Sequence, residues 1–317
     1  MSQSTPRPPR ILILGTGALA CALGARLARL GRAAVTLAGT WEAGLEAIAS
    51  RGIVVNEAGA VWSAKVRVSP LAGPFGPADF VLVAVKSHRT AAVAASAARA
   101  LLPTSLVVTL QNGLGNLEAL QAACGAGCAV AGVASLTARL IQPGEVHVVA
   151  GRVIVSDRAP GAARFTELLA HSRLEAEMSS EIERMLWAKL AVTCAIGPLS
   201  ALTGRTNGTL LETPEPCETL LKAAREVGAV ALAKGIDIGR DAGTLALEAA
   251  ESTSGSRSAM CHDLERRMRS EVDAQNGEVV REGRRLGLPM PVNEYLWQRI
   301  REKEGRPAVS ESSTANE

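Results

Sequence analysis

An isolated lysine opens one of the most apolar segments of the chain. The segment KLAVTCAIGPLSALTG begins at Lys189 and runs to Gly204 without another charged residue. Burial removes water from an ammonium group and lowers its pKa, which suits a lysine to acid catalysis near the working pH. A lysine at a domain boundary can also extend its charged end to solvent, so the pattern fits both an acid catalyst and a snorkelling residue.

Two further polar positions follow apolar strands. Lys86 ends the run DFVLVAVK, and Asn112 follows the run SLVVTL within the sequence Gln111-Asn112-Gly113. An open parallel sheet binds ligands beyond the carboxyl ends of its strands, and both residues belong to that edge. We expect them to contact a ligand, although a solvated lysine and an ordinary turn produce the same local pattern.

A carboxylate in the polar stretch RRMRSEVDAQNGEVVREG is the fourth candidate. This residue is Glu271, and helical spacing places Gln275 one turn later on the same face. A surface glutamate in a charged helix is the alternative interpretation.

A glycine-rich turn joins the first predicted strand to the first predicted helix. In the pattern G-x-G-x-x-G/A, the first glycine makes the turn, the second lets a pyrophosphate approach the backbone, and the third position packs helix on strand. The N–H groups at the helix start then hold the phosphates. Because strand, helix and second strand occur in register, we expect this turn to bind a dinucleotide. Its residues are Gly15, Thr16, Gly17, Ala18, Leu19 and Ala20.

The end of the second predicted strand leaves the choice between NAD and NADP open. An acidic residue there binds the ribose 2′-hydroxyl of NAD, whereas an arginine favours the 2′-phosphate of NADP. The sequence AGTWE has neither at the expected position. Glu42, one turn late, could serve NAD or simply be exposed on the next helix, while Thr40, Arg51 or a more distant cation could hold the phosphate of NADP.

The N-terminal half alternates between strands and helices. RILILG, GALACALGARLARLG and AAVTLAG predict a βαβ unit, and helices follow at 90–102, 115–123 and 162–171. Further strands are predicted at 61–68, 80–85, 106–110 and 129–133, with one or two more at 146–156. This alternation indicates an α/β domain with a doubly wound, mostly parallel sheet of the Rossmann type.

The second half is predicted to be helical throughout. The segments 182–202, 210–234, 242–252 and 263–286 have helical spacing and almost no strand signal. We therefore expect a dinucleotide-binding domain at 1–180, an all-helical substrate and catalytic domain at 181–305 and a disordered tail at 306–317.

Composition narrows the class of protein. The 317 residues are 47% hydrophobic and carry a net charge of +3 without a block of like charges, and three Phe, one Tyr and four Trp offer little base stacking, so nucleic-acid binding is not expected. Runs such as DFVLVAV fall far short of the roughly 20 residues of a membrane span, and the N-terminus lacks a signal-peptide core. We expect a soluble cytoplasmic protein with no metal site, whose six cysteines are reduced core residues.

These residues together resemble the ketopantoate reductases, or 2-dehydropantoate 2-reductases. The resemblance runs from about Ile11 to Asn293 and covers nearly the whole chain. It is carried by GTGALA, VKSHR, LQNGLGNLE, WAKLAVTCAIGPLSALTGRTNG, SAMCHDLERRMRSEVDAQNG and GLPMPVN, in that order.

The resemblance implies an NADP-dependent reduction of a small 2-keto acid, 2-dehydropantoate, to pantoate in pantothenate biosynthesis, by a monomer or homodimer in a cleft between the two domains. By that likeness Lys189 is the general acid, and Glu271 orients the substrate. Asn112 contacts cofactor and substrate, and Lys86 lies by the nicotinamide ribose. Asn207 matches a further substrate-binding asparagine of the family. Ser258 lies next to position 259, where the family usually has a serine, and we expect it to bind substrate as well.

The chain departs from the family pattern where substrate and cofactor bind. Thr193 and Gly197 replace two asparagines, Ser256 replaces a third, and Ala259 replaces a serine, while Gly39 stands where an arginine is common. We therefore expect fewer hydrogen bonds to the substrate and a kcat/KM for alkyl 2-keto acids that approaches or exceeds the value for ketopantoate. The alternatives are a reductase of another keto acid on the same fold, of the β-hydroxyacid or opine dehydrogenase type, and a non-catalytic dinucleotide-binding protein. NAD is a possible cofactor in place of NADP.

Overall fold

The chain divides into two compact units in the computed structural model, which describes residues 7–149 and 151–306. The N-terminal unit comprises residues 7–111 and 116–182, and the C-terminal unit comprises residues 112–115 and 183–306. The predicted tail lies outside the described residues from 307 onward. Its first residue, Arg306, donates hydrogen bonds to Asp273 and Glu304.

The N-terminal unit has an α/β architecture. Its described strands are β1 Arg10–Leu14, β2 Ala34–Gly39, β3 Ile53–Glu57, β4 Ala60–Ala64, β5 Arg67–Pro70, β6 Ala78–Val83, β7 Leu101–Thr109, β8 Ala129–Ala134, β9 Thr137–Gln142, β10 Glu145–Val149, β11 Arg152–Ser156 and β12 Glu175–Ser179. Its described helices are α1 Ala18–Arg29, α2 Glu42–Arg51, α3 Thr90–Arg99, α4 Asn116–Cys124 and α5 Ala162–His171.

Eight strands form the main sheet in the order β12-β11-β8-β7-β6-β1-β2-β5. Every neighbouring pair is parallel except β8 and β11. From β5 to β8 this is the doubly wound order of a Rossmann sheet, so the predicted fold class is confirmed. The central strands β1 and β6 are buried along almost their whole length, as expected for apolar strands covered by helices on both faces.

A second sheet departs from the sequence prediction. Its order is β4-β3-β10-β9, and the single strand predicted at 61–68 is in fact β4 in this sheet and β5 in the main one. The alternation of VWSAKVRV continues unbroken through the connecting residues, and period alone therefore gives no sign that the chain changes sheet. Strands β3, β9 and β12 are also absent from the prediction, whereas α2 is the helix after the second strand on which an exposed Glu42 was one of the two interpretations.

The C-terminal unit is helical over its described residues, as predicted. Its helices are α6 Ile182–Thr203, α7 Pro214–Ala233, α8 Ala242–Ser252, α9 Ala259–Glu265, α10 Glu278–Arg285 and α11 Pro291–Lys303. A π-helical turn at Asp273–Gly277 precedes α10. The interior of this unit is mainly alanine, valine and leucine with two buried tryptophans, Trp187 and Trp297. All six cysteines of the chain are free thiols, as predicted, and Cys21, Cys194 and Cys261 are buried. The predicted core position is wrong for the other three, which are partly exposed: Cys124, Cys128 and Cys217.

Helix α6 is long and apolar enough to cross a membrane by length and composition alone, although most of it is buried inside the protein. One such helix is weak support for a membrane span, because the core helix of a soluble protein meets the same criterion. The segment 182–202 is predicted as a helix from the sequence, but only strand-length apolar runs are weighed there as candidate membrane spans.

Candidate active site

The glycine-rich turn between β1 and α1 has the geometry that its sequence predicts. Gly15 adopts a φ of +130°, and a Cβ there would lie 2.8 Å from the carbonyl oxygen of Ala84. Its N–H donates to the carbonyl of Ala38 at 2.7 Å, which ties the turn to the end of β2. Only glycine combines this backbone conformation with so close an approach to the neighbouring strand.

Open space lies over the second glycine of the turn. Gly17 is the N-cap of α1, and a Cβ built on it would meet no described atom within 4 Å. Over the described residues, no side chain caps this helix end and no acidic residue occupies its first turn. Ala20 is fully buried in the core, so the third position packs helix on sheet as the pattern predicts. The turn therefore fits the pyrophosphate of a dinucleotide.

A buried glutamine connects the ends of β6 and β7. The Gln111 side chain donates to the carbonyl of Val85 at 2.9 Å and to the Thr90 hydroxyl at 2.7 Å. Lys86 follows β6 and is the N-cap of the 3₁₀ turn Ser87–Arg89. Lys86 and Gln111 therefore lie at the carboxyl edge of the sheet, as their positions after apolar strands predict. The sequence analysis left the role of Gln111 open.

The segment after Gln111 packs within the C-terminal unit. Asn112 donates from Nδ2 to Oε2 of Glu271 at 3.2 Å, and the N–H of Leu114 donates to the carbonyl of Ala274 at 2.8 Å. Gly113 has a φ of +83°, and a Cβ there would collide with the Ala274 carbonyl. The two residues of this motif thus have separate roles. Asn112 holds the Glu271 carboxylate, and Gly113 lets the chain approach the backbone of Ala274.

Glu271 lies outside a helix, which corrects the continuous helix predicted at 263–286. Helix α9 ends in a Schellman motif, in which Met268 N–H donates to Asp263 O and Arg267 N–H to Leu264 O. Arg267 takes the left-handed conformation with a φ of +54°. Glycine usually occupies such a position, so the arginine leaves the end of the helix unmarked in the sequence. Glu271 is only 8% exposed and lies two residues before Asp273, where the π-helical turn begins.

Lys189 lies on α6 in the C-terminal unit and interacts electrostatically with Glu271. Burial lowers the pKa of the Lys189 ammonium group, and the Glu271 carboxylate opposes that shift without cancelling it. The structure therefore places a desolvated cation within electrostatic range of a buried carboxylate that Asn112 holds. Three residues that the sequence analysis selected separately belong to one cluster in the C-terminal unit.

A proline inside α6 is compensated by an asparagine from the π-helical turn. Pro198 has no N–H for the carbonyl four residues earlier, which belongs to Cys194. Asn276 donates from Nδ2 to that carbonyl at 2.9 Å and also to Oδ1 of Asn293 at 2.9 Å. Because Asn276 lies five residues after Glu271, this bond fixes the segment that carries the carboxylate against the helix that carries Lys189. The sequence analysis overlooked this residue.

We expect Asn276→Ala to lower the free energy of unfolding by about 1 to 3 kcal/mol, because the buried Cys194 carbonyl loses its donor. Urea unfolding followed by circular dichroism measures the change. Pro198→Ala restores a backbone N–H, so the cost of Asn276→Ala should be smaller in that background. An equal cost in both backgrounds would show that Asn276 does not compensate for the proline.

The two remaining predicted substrate residues differ in how their polar atoms are used. Asn207 donates from Nδ2 to Thr253 Oγ1 at 2.8 Å, while its Oδ1 is buried and has no hydrogen-bond partner among residues 7–149 and 151–306. Ser258 caps α9 by accepting from Cys261 N–H and donates its own proton to the Gly197 carbonyl at 2.9 Å. Asn207 therefore has an unused acceptor, whereas the proton of Ser258 is already committed.

The positions that depart from the family pattern offer few polar atoms. The Thr193 hydroxyl donates to the Leu190 carbonyl within its own helix at 3.1 Å. A Cβ at Gly197 would lie 3.5 Å from the methyl carbon of Met260 and 3.9 Å from Oε1 of Gln275, so one polar atom remains close to this position. The expected loss of hydrogen-bonding groups stays a prediction for the substrate itself.

Comparison with known proteins gives a consistent result over the whole chain. The family model described as ketopantoate reductase PanE/ApbA matches residues 11–160, and the model of its C-terminal region matches residues 181–304. The 2-dehydropantoate 2-reductase of Archaeoglobus fulgidus is 31% identical over 302 residues, which cover 93% of this chain and 98% of that protein. The enzyme of the same name from Halobacterium salinarum is 32% identical, with 92% and 98% covered.

A solved structure agrees with these relatives. The crystal structure of a PanE/ApbA family ketopantoate reductase from Ralstonia eutropha JMP134 superposes with a TM-score of 0.87 at 31% identity. The match covers 93% of this chain and 98% of that one.

Proposed function

We propose, since this chain belongs to the ketopantoate reductase family, that it reduces 2-dehydropantoate to pantoate with a reduced nicotinamide dinucleotide. The observation that carries the proposal is the cluster of Lys189, Glu271 and Asn112, which provides one acid and one oriented acceptor. A reductase of the β-hydroxyacid or opine dehydrogenase type and a non-catalytic binding protein are not favoured by the relatives.

Lys189 acts as the general acid of this reaction. When bound, a reduced nicotinamide would supply the hydride, which adds to the ketone carbon of the substrate and leaves the negative charge of an alkoxide on the ketone oxygen. The Lys189 ammonium group stabilises the developing negative charge and then donates its proton to that oxygen. Burial assists both tasks, because it strengthens the electrostatic attraction and lowers the pKa of the donor.

Glu271 binds and orients the substrate. Its carboxylate accepts a hydrogen bond from Asn112, and a carboxylate is an acceptor that suits a substrate hydroxyl. Asn207 adds a second buried acceptor, its Oδ1 atom, for a hydrogen-bond donor of a ligand. Acceptors of this kind suit a keto acid that carries a hydroxyl group, as 2-dehydropantoate does. They cannot bind the substrate carboxylate, which needs a positively charged partner.

The dinucleotide is NADP in this proposal, held by the turn Gly15–Ala20 and by Lys86. The open space over Gly17 and the uncapped start of α1 support binding of the pyrophosphate. We further expect the enzyme to act in the cytoplasm as a monomer or homodimer.

The rate of the reaction should depend on pH through Lys189. Its pKa lies below the ordinary 10.5, and the acid must be protonated for reduction. We therefore expect kcat/KM for the keto acid to be level at low pH and to fall about tenfold per unit above this lowered pKa. Oxidation of pantoate needs the neutral amine and should rise with pH through the same region. Stopped-flow measurements on Lys189→Met check this assignment. If the variant still showed both the fall of reduction and the rise of oxidation with pH, the titrating group would not be Lys189.

A substrate panel tests the proposed function. NADPH oxidation is followed at saturating cofactor with 2-dehydropantoate, 3-methyl-2-oxobutanoate and 2-oxobutanoate, each against an enzyme-free control. We expect turnover of 2-dehydropantoate, and the loss of two family asparagines at Thr193 and Gly197 predicts less than about 100-fold preference over the alkyl keto acids. No turnover of 2-dehydropantoate would refute the proposed function, while a larger preference would refute only the predicted loss of discrimination.

A further inference from the structure

The residue at the end of β2 is Gly39, where the family commonly carries an arginine, and the space beside it is tight. A Cβ on Gly39 would lie 3.0 Å from Cγ2 and 3.1 Å from Oγ1 of Thr16, and Thr16 is itself buried in the glycine-rich turn. Glycine supplies no charge at this position, and a larger side chain would require the Thr16 side chain to shift by a few tenths of an ångström. Any cation that reads the ribose phosphate must come from elsewhere in the chain.

Arg89 reaches this position from another strand connection. It ends the 3₁₀ turn after β6, where its N–H donates to the carbonyl of Lys86 at 2.8 Å. Its guanidinium donates from Nη1 to the hydroxyl oxygen of Thr40 at 2.8 Å. Both side chains are exposed, so a ligand can approach the pair.

The sheet order explains how the arginine comes to this place. Strand β1 lies between β6 and β2, with Leu14 paired to Val83 on one side and to Ala38 on the other. A side chain that starts after β6 and bonds to the residue after β2 must pass the carboxyl end of β1. Arg89 therefore lies beside the glycine-rich turn, at the edge where a dinucleotide binds in such sheets.

The other basic candidate is far from this point. Arg51 is the last residue of α2, which begins at Glu42, and nine residues of helix separate the two by about 14 Å. Its guanidinium donates to the carbonyl of Pro143 at 2.5 Å. Glu42 is exposed at the start of α2 and could interact only with a hydroxyl, because a carboxylate repels a phosphate.

We infer that Arg89 and Thr40 bind the 2′-phosphate of NADP and make this reductase select NADPH over NADH. The guanidinium has five N–H donors, and most of them remain for phosphate oxygens after the bond to Thr40. Thr40 accepts that bond with its oxygen and keeps its hydroxyl proton for the same phosphate. Arg89 thus supplies from the β6 connection the positive charge that Gly39 does not provide. The inference rests on the proposed function only for the presence of a dinucleotide.

Binding measurements on Arg89→Gln test the inference without turnover. Dissociation constants of NADPH and NADH are measured by fluorescence titration, and those of adenosine 2′,5′-bisphosphate and AMP by calorimetry. We expect wild type to prefer NADPH, and Arg89→Gln to weaken NADPH and the bisphosphate on the order of 10- to 100-fold. The dissociation constants of NADH and AMP should change less than about twofold. The dissociation constants of Arg89→Lys for NADPH and the bisphosphate should lie between those of wild type and Arg89→Gln. Lysine keeps the positive charge but lacks the paired N–H donors of the guanidinium.

Arg99→Gln is the matched control. Arg99 is exposed on the last turn of α3, the helix that Arg89 precedes, and donates to the Leu71 carbonyl at 3.2 Å. We expect it to leave all four constants unchanged. Equal losses of NADPH and NADH in Arg89→Gln, no loss of either, or a wild type that binds NADH as tightly as NADPH would overturn the inference. Selective NADPH binding without reduction of 2-dehydropantoate would support the inference and reject the proposed function.

Discussion

Lys189→Met should lower kcat for 2-dehydropantoate by at least about 100-fold while the dissociation constant of NADPH stays within about twofold. Methionine retains the volume of the lysine stem, so the packing of α6 is preserved, but it has no proton to give and no charge for the developing alkoxide. Single-turnover rates and fluorescence titration measure the two quantities separately. The loss should appear in kcat, because the ammonium group acts mainly when negative charge develops.

Two further variants make this expectation specific. Lys189→Arg keeps a positive charge, but its guanidinium does not release a proton, whereas burial lowers the pKa of the Lys189 ammonium group. The kcat of this variant should therefore also fall strongly. Lys222→Met removes an exposed lysine that pairs with Glu218 on α7, and its kcat should equal that of wild type. A Lys189→Met enzyme with near-normal kcat would remove Lys189 from the mechanism.

The elements that the sequence predicted well are those whose pattern is local. Strand β1, helix α1 and strand β2 have clear apolar periods and a glycine turn between them, and helices α5 and α8 occur at the predicted residues. Strand β12 was absent from the prediction because its sequence, EAEMS, is polar and at the sheet edge. Its strand conformation comes from pairing with β11, which is a tertiary interaction.

The site shows the same division between local and distant information. Lys189 and Glu271 stand out by residue type, but the bond between Asn112 and Glu271 joins residues 159 positions apart. Asn276 and Arg89 were overlooked for the same reason, because their partners Cys194 and Thr40 are 82 and 49 positions away. A proline inside an apolar helix did give one usable signal, since the carbonyl it leaves must find a donor elsewhere.

Gly17→Val should abolish measurable binding of NADPH and NADH alike, with dissociation constants raised by at least about 100-fold. The backbone of Gly17, with φ of −79° and ψ of −175°, suits any L-residue, and a Cβ there meets no described atom within 4 Å. The valine should therefore leave the fold intact, which the thermal unfolding midpoint verifies, and fill only the space through which a pyrophosphate reaches the start of α1.

Gly127→Val is the matched control for this variant, because a Cβ on Gly127 also meets no described atom within 4 Å. Gly127 precedes β8 and so lies at the amino end of a parallel strand, opposite the ligand-binding edge. Its dissociation constants should match those of wild type. Gly17→Val and Arg89→Gln together distinguish the two parts of the cofactor site. Gly17→Val should weaken binding of both dinucleotides, and Arg89→Gln should weaken only that of NADPH, which carries the 2′-phosphate. Unchanged titrations of Gly17→Val, with the fold intact, would contradict the assignment of this turn to the pyrophosphate.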